Sequence, residues 1–439
     1  MALTVAIVGS GPAGFYTADA LLSVGVDVEI DIIEKLPTPF GLIRAGVAPD
    51  HQTTKNVTRK YEEAALHDVT RYYGNVTLGK DIHLEELREM YDAVVLAVGA
   101  ASDVRLSIPG ADLEGVYGSS EFVGWYNAHP EYRWLDPDLE TEQAVVIGNG
   151  NVAVDIARIL VRTQTGMATS DLADHAGEAI WSSPLKTVHM IGRRGPLEAK
   201  FTNVELRELG ELTNCVPVVD PAQLPDAVPA NGAEGRELRL KQRNLDTLKS
   251  FLDLDPAGKE KRLNITFYAQ PVEILGRNKV EAIRFEKTEV VDGRTKGTGA
   301  FFEIPTGLVV AAIGYRPVPL DGAPFDDNRG IIPNDDGKVE KGLYVVGWIK
   351  RGPSGVISSS RPDAKAATAH ILADCGAGGK PGRRSLDPLL ESRKARVVTY
   401  ADWKRIEEAE VKAAENGAPR RKYATVEEML EVLEGRGAS

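Results

Sequence analysis

The stretch Val5-Ala6-Ile7-Val8, followed by Gly9-Ser10-Gly11-Pro12-Ala13-Gly14, decides the fold of this chain. The apolar run predicts a buried strand, and the GxGxxG turn after it predicts the start of a helix. Such a turn holds a pyrophosphate against the backbone N–H groups at the positive end of the helix. A dinucleotide site is therefore expected here, with Gly9, Gly11, Ala13 and Gly14 at the cofactor.

A second turn of the same type is Gly148-Asn149-Gly150-Asn151-Val152-Ala153, directly after the apolar run Ala144-Val145-Val146-Ile147. It is a GxGxxA variant, and a long insertion (roughly residues 163–184) separates its helix from the next strand. One such turn alone also serves simple helix–strand packing. Two of them predict two bound dinucleotides, facing each other, with electron transfer between them.

The residues at the ends of the following strands distinguish the two sites. The strand Val28–Ile33 ends in Glu34, whose carboxylate suits ribose hydroxyls and repels a phosphate on the ribose. This favours FAD or NAD and excludes NADP. The strand Thr187–Ile191 ends instead in Arg193 and Arg194, whose guanidinium groups match the 2′-phosphate of NADP unless they are merely solvated. The sequence therefore predicts FAD at the first turn and NADPH at the second.

Composition narrows the class of protein further. With 439 residues, 43% of them hydrophobic and 26% charged, the chain suits two or three globular domains. No apolar run approaches the roughly 20 residues of a membrane helix, and residues 1–4 carry no basic leader signal. The net charge of −12 argues against nucleic acid and anionic membranes as partners. We therefore expect a cytoplasmic protein.

Cys215 and Cys375 are the chain's two cysteines, far apart and without a CxxC motif. This excludes an intrinsic iron–sulfur cluster, a structural zinc site of the usual spacing and an active-site disulfide. Both thiols are expected to be small, buried, apolar side chains.

The order of elements predicts an α/β fold with parallel, helix-covered sheets. We expect two Rossmann-like dinucleotide-binding domains, the NADP domain being inserted into a discontinuous FAD domain. The expected boundaries are 1–105 and 319–439 for the FAD domain, the latter with a C-terminal helical extension, and 106–318 for the NADP domain. Helices are expected over about 362–373 and 401–415, and a mobile linker over 376–384.

With these pieces in place, the chain resembles the adrenodoxin-reductase-like ferredoxin–NADP(+) reductases over essentially its whole length. The segments that carry the resemblance are GSGPAG, LPTPFGLIRAGVAPDH, YDAVVLAVGA, FVGWYNAHP, VVIGNGNVAVDIAR, GRRGPLEAKFTNVELREL and VVGWIKRGPSGVI. The first and third are generic to flavoproteins that bind two dinucleotides, whereas the others are specific.

The resemblance implies contacts for each cofactor. Those for FAD are Ala13, Glu34, Leu42, Val76 through its backbone, Trp348, Gly355, Val356 and Ile357. Those for NADP(H) are Asn149, Gly150, Asn151, Val152, Arg193, Arg194, Glu205 and Gly355. It also implies a polar set beside the nicotinamide, which is His51, Asp155 and Glu208. This set either positions the nicotinamide or relays a proton, or else forms structural hydrogen bonds. Ala199 and Lys200 depart from the family pattern, and the lysine adds a cation beside the arginines that either tightens phosphate binding or is merely solvated.

The expected function is electron transfer from NADPH, as a hydride to FAD, and then one electron at a time to a ferredoxin-type iron–sulfur protein, or the reverse. Alternatives are a reductase of another acceptor, similar to the small subunit of glutamate synthase, and a non-catalytic FAD/NADP sensor. We expect a monomer that docks its acidic partner on a local basic surface. Candidates for that surface are Arg236, Arg239, Lys241, Arg243 and Lys249, or the pair Lys350 and Arg351.

Overall fold

The computed structural model describes residues 2–229, 235–376 and 378–435. The chain divides into two compact units, each with its own parallel sheet. The first unit takes in the described residues up to 102, residues 127–133 and the described residues from 315 onward. The second takes in residues 103–126 and the described part of 134–314. The two Rossmann-like domains predicted from the sequence are confirmed.

The sheet of the first unit has six strands, with Leu3–Val8 at its centre and later strands of the chain on both sides of it. The chain first adds strands on one side and then crosses to the other, which creates a topological switch point at the carboxyl end of Leu3–Val8. All neighbours are parallel except the edge strand Lys338–Glu340. In spatial order the strands are Lys338–Glu340, Leu343–Val345, Ala93–Leu96, Leu3–Val8, Val28–Ile33 and Thr70–Tyr73.

Successive side chains of a strand point to opposite faces of the sheet, and both faces of this sheet are buried. Val5 and Ile7 belong to one hydrophobic cluster, and Ala6 and Val8 belong to another on the opposite face. Helices cover both faces. They are Pro12–Leu22, Leu42–Ala45, Gln52–Lys55, Thr58–Ala65, Leu84–Met90, Trp348–Arg351, Ser360–Cys375, Arg383–Ser392, Tyr400–Lys412 and Val426–Leu433, with short 3₁₀ turns at Pro130–Tyr132 and Ile357–Ser359.

The sheet of the second unit repeats this plan around the central strand Gln143–Ile147. Its strands are all parallel, in the spatial order Val116–Gly118, Leu308–Ala311, Gln143–Ile147, Thr187–Ile191, Lys261–Thr266 and Cys215–Val219. An antiparallel sheet of Ala269–Leu275, Ala282–Val291 and Arg294–Pro305 adds to it. The helices are Ser119–Tyr126, Asn151–Val161, Gln164–Met167, Asp174–Ser182, Asn203–Gly210 and Arg236–Ser250. Short 3₁₀ turns lie at Pro196–Glu198, Pro221–Gln223 and Phe251–Asp253. The two-residue strands Ser102–Asp103 and Tyr315–Arg316 lie where the chain passes from one unit to the other.

The expected boundaries of the NADP domain, 106–318, differ from the second unit, whose described residues lie between 103 and 314. The second unit also leaves out residues 127–133, which cluster with the first unit. Two polar contacts explain this. The ammonium group of Lys422 donates to the carbonyl oxygen of Asn127 at 3.2 Å, and Lys35 forms an ion pair with Glu131 at 2.6 Å.

The expectation of a mobile linker over 376–384 is wrong for the described residues of that range; residue 377 lies outside them. Gly379 and Lys380 donate their N–H groups to the Asp92 carboxylate at 3.3 and 3.2 Å. Gly382 donates to the carbonyl of Met90 at 2.8 Å, and the helix Arg383–Ser392 begins directly afterwards. The segment is therefore anchored beside the start of the strand Ala93–Leu96. Within the described residues, we find no helix with the length and apolar character needed to cross a membrane.

Candidate functional site

The first glycine turn lies at the switch point of the first sheet, between Leu3–Val8 and Pro12–Leu22. A Cβ atom added at Gly14 would lie 2.0 Å from the carbonyl oxygen of Gly9, so the helix packs directly on the turn. A Cβ added at Gly11 would meet no atom of the described residues within 4 Å. The turn is therefore closed at Gly14 and open at Gly11, where a pyrophosphate approaches in turns of this type.

Glu34 is held against the same turn. Its carboxylate accepts hydrogen bonds from the N–H and the hydroxyl of Ser10 at 3.0 and 2.7 Å, and from the N–H of Leu36 at 3.1 Å. The residue is 9% exposed. A carboxylate has about four lone-pair sites, so these bonds leave acceptor capacity for ribose hydroxyls. The structure therefore fixes an acid beside the turn, as the sequence predicted.

A short loop packs against the turn beside Ser10 and Gly11. Phe40 donates its N–H to the carbonyl of Ser10 at 3.0 Å, and a Cβ at Gly41 would lie 3.1 Å from the Cα of Gly11. Leu42 follows as the first residue of the helix Leu42–Ala45 and is 40% exposed. An accessible apolar side chain thus lies next to the expected pyrophosphate position.

Val76 is buried, and its N–H already donates to the carbonyl of Glu34 at 2.9 Å. A backbone contact of Val76 with adenine would therefore have to use its carbonyl oxygen.

The segment around Trp348 meets the first turn from another side. A Cβ at Gly347 would lie 2.7 Å from the Cβ of Ala13. The half-buried Trp348 ring stacks on Tyr315 at 5.5 Å between centroids, and its indole N–H donates to the carbonyl of Ser354 at 3.2 Å. Trp348 is thus half-buried and is not among the buried residues of the two hydrophobic clusters of the first unit.

Asp363 holds this segment to the helix Ser360–Cys375. Its buried carboxylate accepts the N–H of Gly347 at 3.2 Å and forms ion pairs with Lys350 at 3.1 Å and with Arg351. The helix lies where residues 362–373 predicted one, starting slightly earlier.

Gly355, Val356 and Ile357 precede that helix, and the N–H of Val356 donates to the Ser359 hydroxyl at 3.0 Å. Val356 is 64% exposed. This part of the chain therefore presents an accessible helix start.

The second glycine turn has the same two properties as the first. A Cβ at Gly148 would lie 2.3 Å from the carbonyl oxygen of Ala312, whereas one at Gly150 would meet only the Cβ of Lys200, at 4.0 Å. Lys200 is held there because its N–H donates to the carbonyl of Asn149 at 2.7 Å. The side-chain oxygen of Asn149 is buried and has no hydrogen-bond partner in the described part of the chain. Asn151 and Val152, in turn, form the first turn of the helix Asn151–Val161.

Arg193 and Arg194 follow the strand Thr187–Ile191, as predicted, and their backbone is fixed from outside. The hydroxyl of Thr288 donates to the carbonyl of Arg193 at 2.8 Å. The N–H of Tyr268 donates to the carbonyl of Arg194 at 3.1 Å. Arg193 is exposed, and the Nε of Arg194 is buried without a hydrogen-bond partner among the described residues. Two cations on a rigid loop, one with an unused donor, fit a phosphate group.

Asp155 and Glu208, two members of the expected polar set, meet on one buried cation. Arg158 is fully buried and donates to Asp155 at 2.8 Å, one helical turn away. It also forms an ion pair with Glu208, which lies on the helix Asn203–Gly210 together with Glu205. His51, the third member, belongs to the first unit, where it precedes the helix Gln52–Lys55 and donates its N–H to the carbonyl of Ala48 at 3.0 Å.

Several known proteins are similar to this chain. The model of the pyridine nucleotide-disulphide oxidoreductase family matches residues 3–204. The NADPH-ferredoxin reductase FprA of Mycobacterium tuberculosis is 42% identical over 98% of this chain and 98% of its own length. The mitochondrial NADPH:adrenodoxin oxidoreductase of Arabidopsis thaliana is 41% identical over 98% of this chain and 95% of its own. The chain belongs to this reductase family. The structure of FprA in complex with NADPH matches it with a TM-score of 0.94 at 41% identity, covering 98% of this chain and 99% of that one.

The reductase family uses FAD and NADP(H), and this chain fits both cofactors. The open face at Gly11 with Glu34 beside it suits the adenosine diphosphate half of FAD. The open face at Gly150, with the unused Asn149 oxygen and Arg194 nitrogen, suits a phosphorylated dinucleotide. The oxidoreductase class and both cofactors expected from the sequence are therefore confirmed.

The two cysteines of this reductase are free. Burial raises the pKa of Cys215 to about 12 and also raises the pKa of Cys375. Cys215 is buried as expected, whereas Cys375 is half-buried and its thiol donates to the carbonyl of Asp92 at 3.3 Å. Neither thiol has the low pKa of a reactive cysteine.

Sequence reasoning missed Arg158, Asp363 and Ser10, which position the expected site residues. For Arg158 a signal was present, because Asp155 precedes it by three residues on a helix and such pairs lie on one face. For the other two residues the partners lie 12 to 24 positions away, and a single sequence carries no signal for such pairs.

Proposed function

We propose that this protein transfers electrons from NADPH, through FAD, to a ferredoxin-type iron–sulfur protein. The observation that carries the proposal is the pair of open glycine turns with opposite charges beside them, an acid at Gly11 and two arginines after Gly150. Bound FAD accepts a hydride and releases single electrons, which is the conversion that NADPH and an iron–sulfur acceptor require. The chain's own residues bind and orient the two carriers.

In the first unit, we assign Gly9, Gly11, Ala13 and Gly14 to the pyrophosphate of FAD and Glu34 to its ribose. Leu42 and Trp348 would pack apolar surface against the cofactor. Gly355, Val356 and Ile357 would direct the start of the helix Ser360–Cys375 toward it. Backbone N–H groups at a helix start stabilise negative charge, which is the charge that reduction adds. Val76 would contact adenine through its carbonyl oxygen.

In the second unit, we assign Asn149, Gly150, Asn151 and Val152 to the pyrophosphate of NADP(H). Arg193 and Arg194 would bind the 2′-phosphate, because their loop is fixed by Thr288 and Tyr268 while their guanidinium groups keep donor capacity. Glu205 is the remaining NADP(H) contact that we assign in this unit.

The remaining polar set would lie at the nicotinamide. Asp155 and Glu208 are ion-paired with the buried Arg158. These ion pairs hold both carboxylates in place, so the two acids would act as fixed hydrogen-bond acceptors. His51 would be the member able to relay a proton, because an imidazole ring carries both a donor and an acceptor nitrogen. Because hydride transfer depends on the orientation of the reacting groups, holding the nicotinamide in place would be the main task of this set.

The partner would dock on the helix Arg236–Ser250. Of the candidate cations, Lys241 is paired with Glu237, Lys249 donates to the carbonyl of Asp226, and Lys350 and Arg351 are paired with Asp363. Arg236, Arg239 and Arg243 are exposed at helical spacing on one face. We assign docking of an acidic iron–sulfur protein to these three residues. A cytoplasmic monomer without nucleic-acid or membrane partners completes the proposal.

A coupled assay tests this function. The purified protein is mixed with NADPH and cytochrome c, with and without a plant-type ferredoxin. We expect cytochrome c reduction to rise steeply with ferredoxin concentration. If NADPH bleaches the yellow protein but the rate of cytochrome c reduction does not depend on ferredoxin, the protein reduces another acceptor. A protein that NADPH never bleaches would be a sensor and would overturn the proposal.

A further inference from the structure

The loop that packs against the first glycine turn is fixed from its other side by the C-terminal part of the chain. Arg44, on the helix Leu42–Ala45, forms a two-pronged ion pair with Glu410 on the helix Tyr400–Lys412, with one N···O distance of 2.9 Å. The two side chains are 8% and 0% exposed. A bidentate pair fixes direction as well as distance.

Two further contacts join Arg44 to this segment, and a third holds the Lys422 side chain in place. The guanidinium carbon of Arg44 lies 5.2 Å from the centre of the buried Trp403 ring. The ammonium group of Lys422 donates to the carbonyl of Arg44 at 3.1 Å and to the side chain of Asn127 at 3.1 Å. We call Trp403, Glu410 and Lys422 the C-terminal clamp.

Glu410 is itself held by its own segment. It accepts the N–H of Tyr423 at 3.0 Å, and its second oxygen lies 3.6 Å from a nitrogen of Arg420. The buried carboxylate is thus surrounded by donors from both the clamp segment and the loop. Removing its charge would take a two-pronged ionic partner from the buried Arg44, which is costly in a place that excludes water.

The other side of the loop contacts the glycine turn. Phe40 donates to Ser10 at 3.0 Å, and Gly41 lies against Gly11. The ring of Phe40 also meets that of Trp403 at 6.1 Å, edge to face. The loop is therefore held between the turn and the clamp, and Leu42 projects from it with 40% exposure.

We propose that Glu410 is a positioning residue for the flavin. Through Arg44 it keeps the loop 40–45 against the first turn, so that the C-terminal segment 400–423 determines how firmly FAD is retained. The inference rests on the assignment of the first turn to FAD. It adds that residues with no place in the dinucleotide fold control the cofactor's dissociation.

The test compares Glu410→Gln with Glu434→Gln in the full-length holoenzyme. Glu434 lies in the same C-terminal region and pairs with Arg396, outside the clamp. FAD release after dilution is followed by the recovery of flavin fluorescence. We expect the rate to rise about tenfold or more for Glu410→Gln, as for loss of one charge-assisted contact, with an altered visible circular dichroism of the bound flavin. Glu434→Gln should match the wild type in both.

Two further measurements keep the outcomes separate. Affinity for 2′,5′-ADP, which reports the second unit, should be unchanged in both variants. If Glu410→Gln does not fold, Arg44→Lys keeps the charge, loses the two-pronged geometry and should release FAD about threefold faster. A lower melting temperature for Glu410→Gln with unchanged FAD release and flavin signal would overturn the inference. A wild-type protein that binds no FAD would instead overturn the cofactor assignment.

Discussion

Arg193 carries the sharpest prediction at the scale of single residues. Its backbone is fixed by Thr288 and its side chain is exposed, so Arg193→Ala should remove a phosphate contact without moving the loop. A charge-assisted hydrogen bond contributes about 1.5–3 kcal/mol. The KM for NADPH should therefore rise roughly tenfold or more, while that for NADH stays nearly constant. Steady-state kinetics with ferricyanide measure both, and equal losses for the two nucleotides would contradict the assignment.

Lys200 should behave differently because of where the structure places it. Its Cβ lies 4.0 Å from the position that a Cβ would take at Gly150, beside the expected pyrophosphate. NADH and NADPH share the pyrophosphate. Lys200→Ala should therefore weaken both by a similar factor, about threefold for an exposed cation, and leave their ratio unchanged. Equilibrium titration with NADP⁺ and NAD⁺ measures this, and a loss confined to NADP⁺ would place Lys200 at the 2′-phosphate.

These two residues also show what a single sequence reveals. The glycine turns, Glu34 and the arginines were predictable because a local pattern of strand, turn and helix places them. The position of Lys200 relative to Gly150 was not, because it depends on a hydrogen bond across 51 residues of chain between Lys200 and Asn149. The same limit hid the ion pair that joins Arg158 to Glu208.

At the scale of elements, similar substitutions in the first turn should have two different effects, one on stability and one on FAD binding. A Cβ at Gly14 would overlap the carbonyl oxygen of Gly9, so Gly14→Ala should disturb the helix start and lower the melting temperature of the FAD-free protein. Gly11→Ala meets open space and should leave that temperature unchanged, yet it should abolish FAD binding. Thermal unfolding and the ratio of flavin to protein absorbance distinguish the two. The turn assignment would be wrong if Gly11→Ala still bound FAD normally.

The second strand, Val28–Ile33, carries a buried acid whose ionisation links stability to pH. Burial raises the pKa of Asp31 from 3.8 to about 6, despite the nearby Arg383. The folded state therefore holds this proton more tightly than the unfolded chain. The resulting stabilisation is complete below pH 3.8 and is lost as the pH rises through about 6.

Asp31→Asn removes this dependence. Relative to that variant, the wild type should lose about 3 kcal/mol of unfolding free energy between about pH 4 and 7. Urea unfolding at a series of pH values measures the difference. A difference that stayed constant with pH would show that Asp31 is ionised throughout.

At the scale of the whole molecule, the sequence predicted the two nucleotide folds and the insertion of one within the other, because alternating strands and helices leave few topologies. It did not predict how the C-terminal region is used. Residues 378–382 look like a flexible linker by composition, but Asp92 and Met90 bind their backbone. Glu410 looks like a solvated charge on a helix, but it is fully buried against Arg44. Long-range polar pairs of this kind leave no periodicity to detect.

The net charge of −12 sets the last prediction, because an acidic partner must approach against overall repulsion. If docking uses the exposed face of Arg236, Arg239 and Arg243, then Arg239→Glu should lower ferredoxin-dependent cytochrome c reduction about tenfold at low salt. Ferricyanide reduction needs no docking and should be unchanged. Lys186→Glu, on an exposed residue of the same unit, provides the control.

Raising the ionic strength should reduce the difference between wild type and Arg239→Glu, because salt screens charges beyond about 8 Å at physiological concentration. A wild-type rate insensitive to salt, or an equal loss for Lys186→Glu, would mean that this helix does not guide the partner.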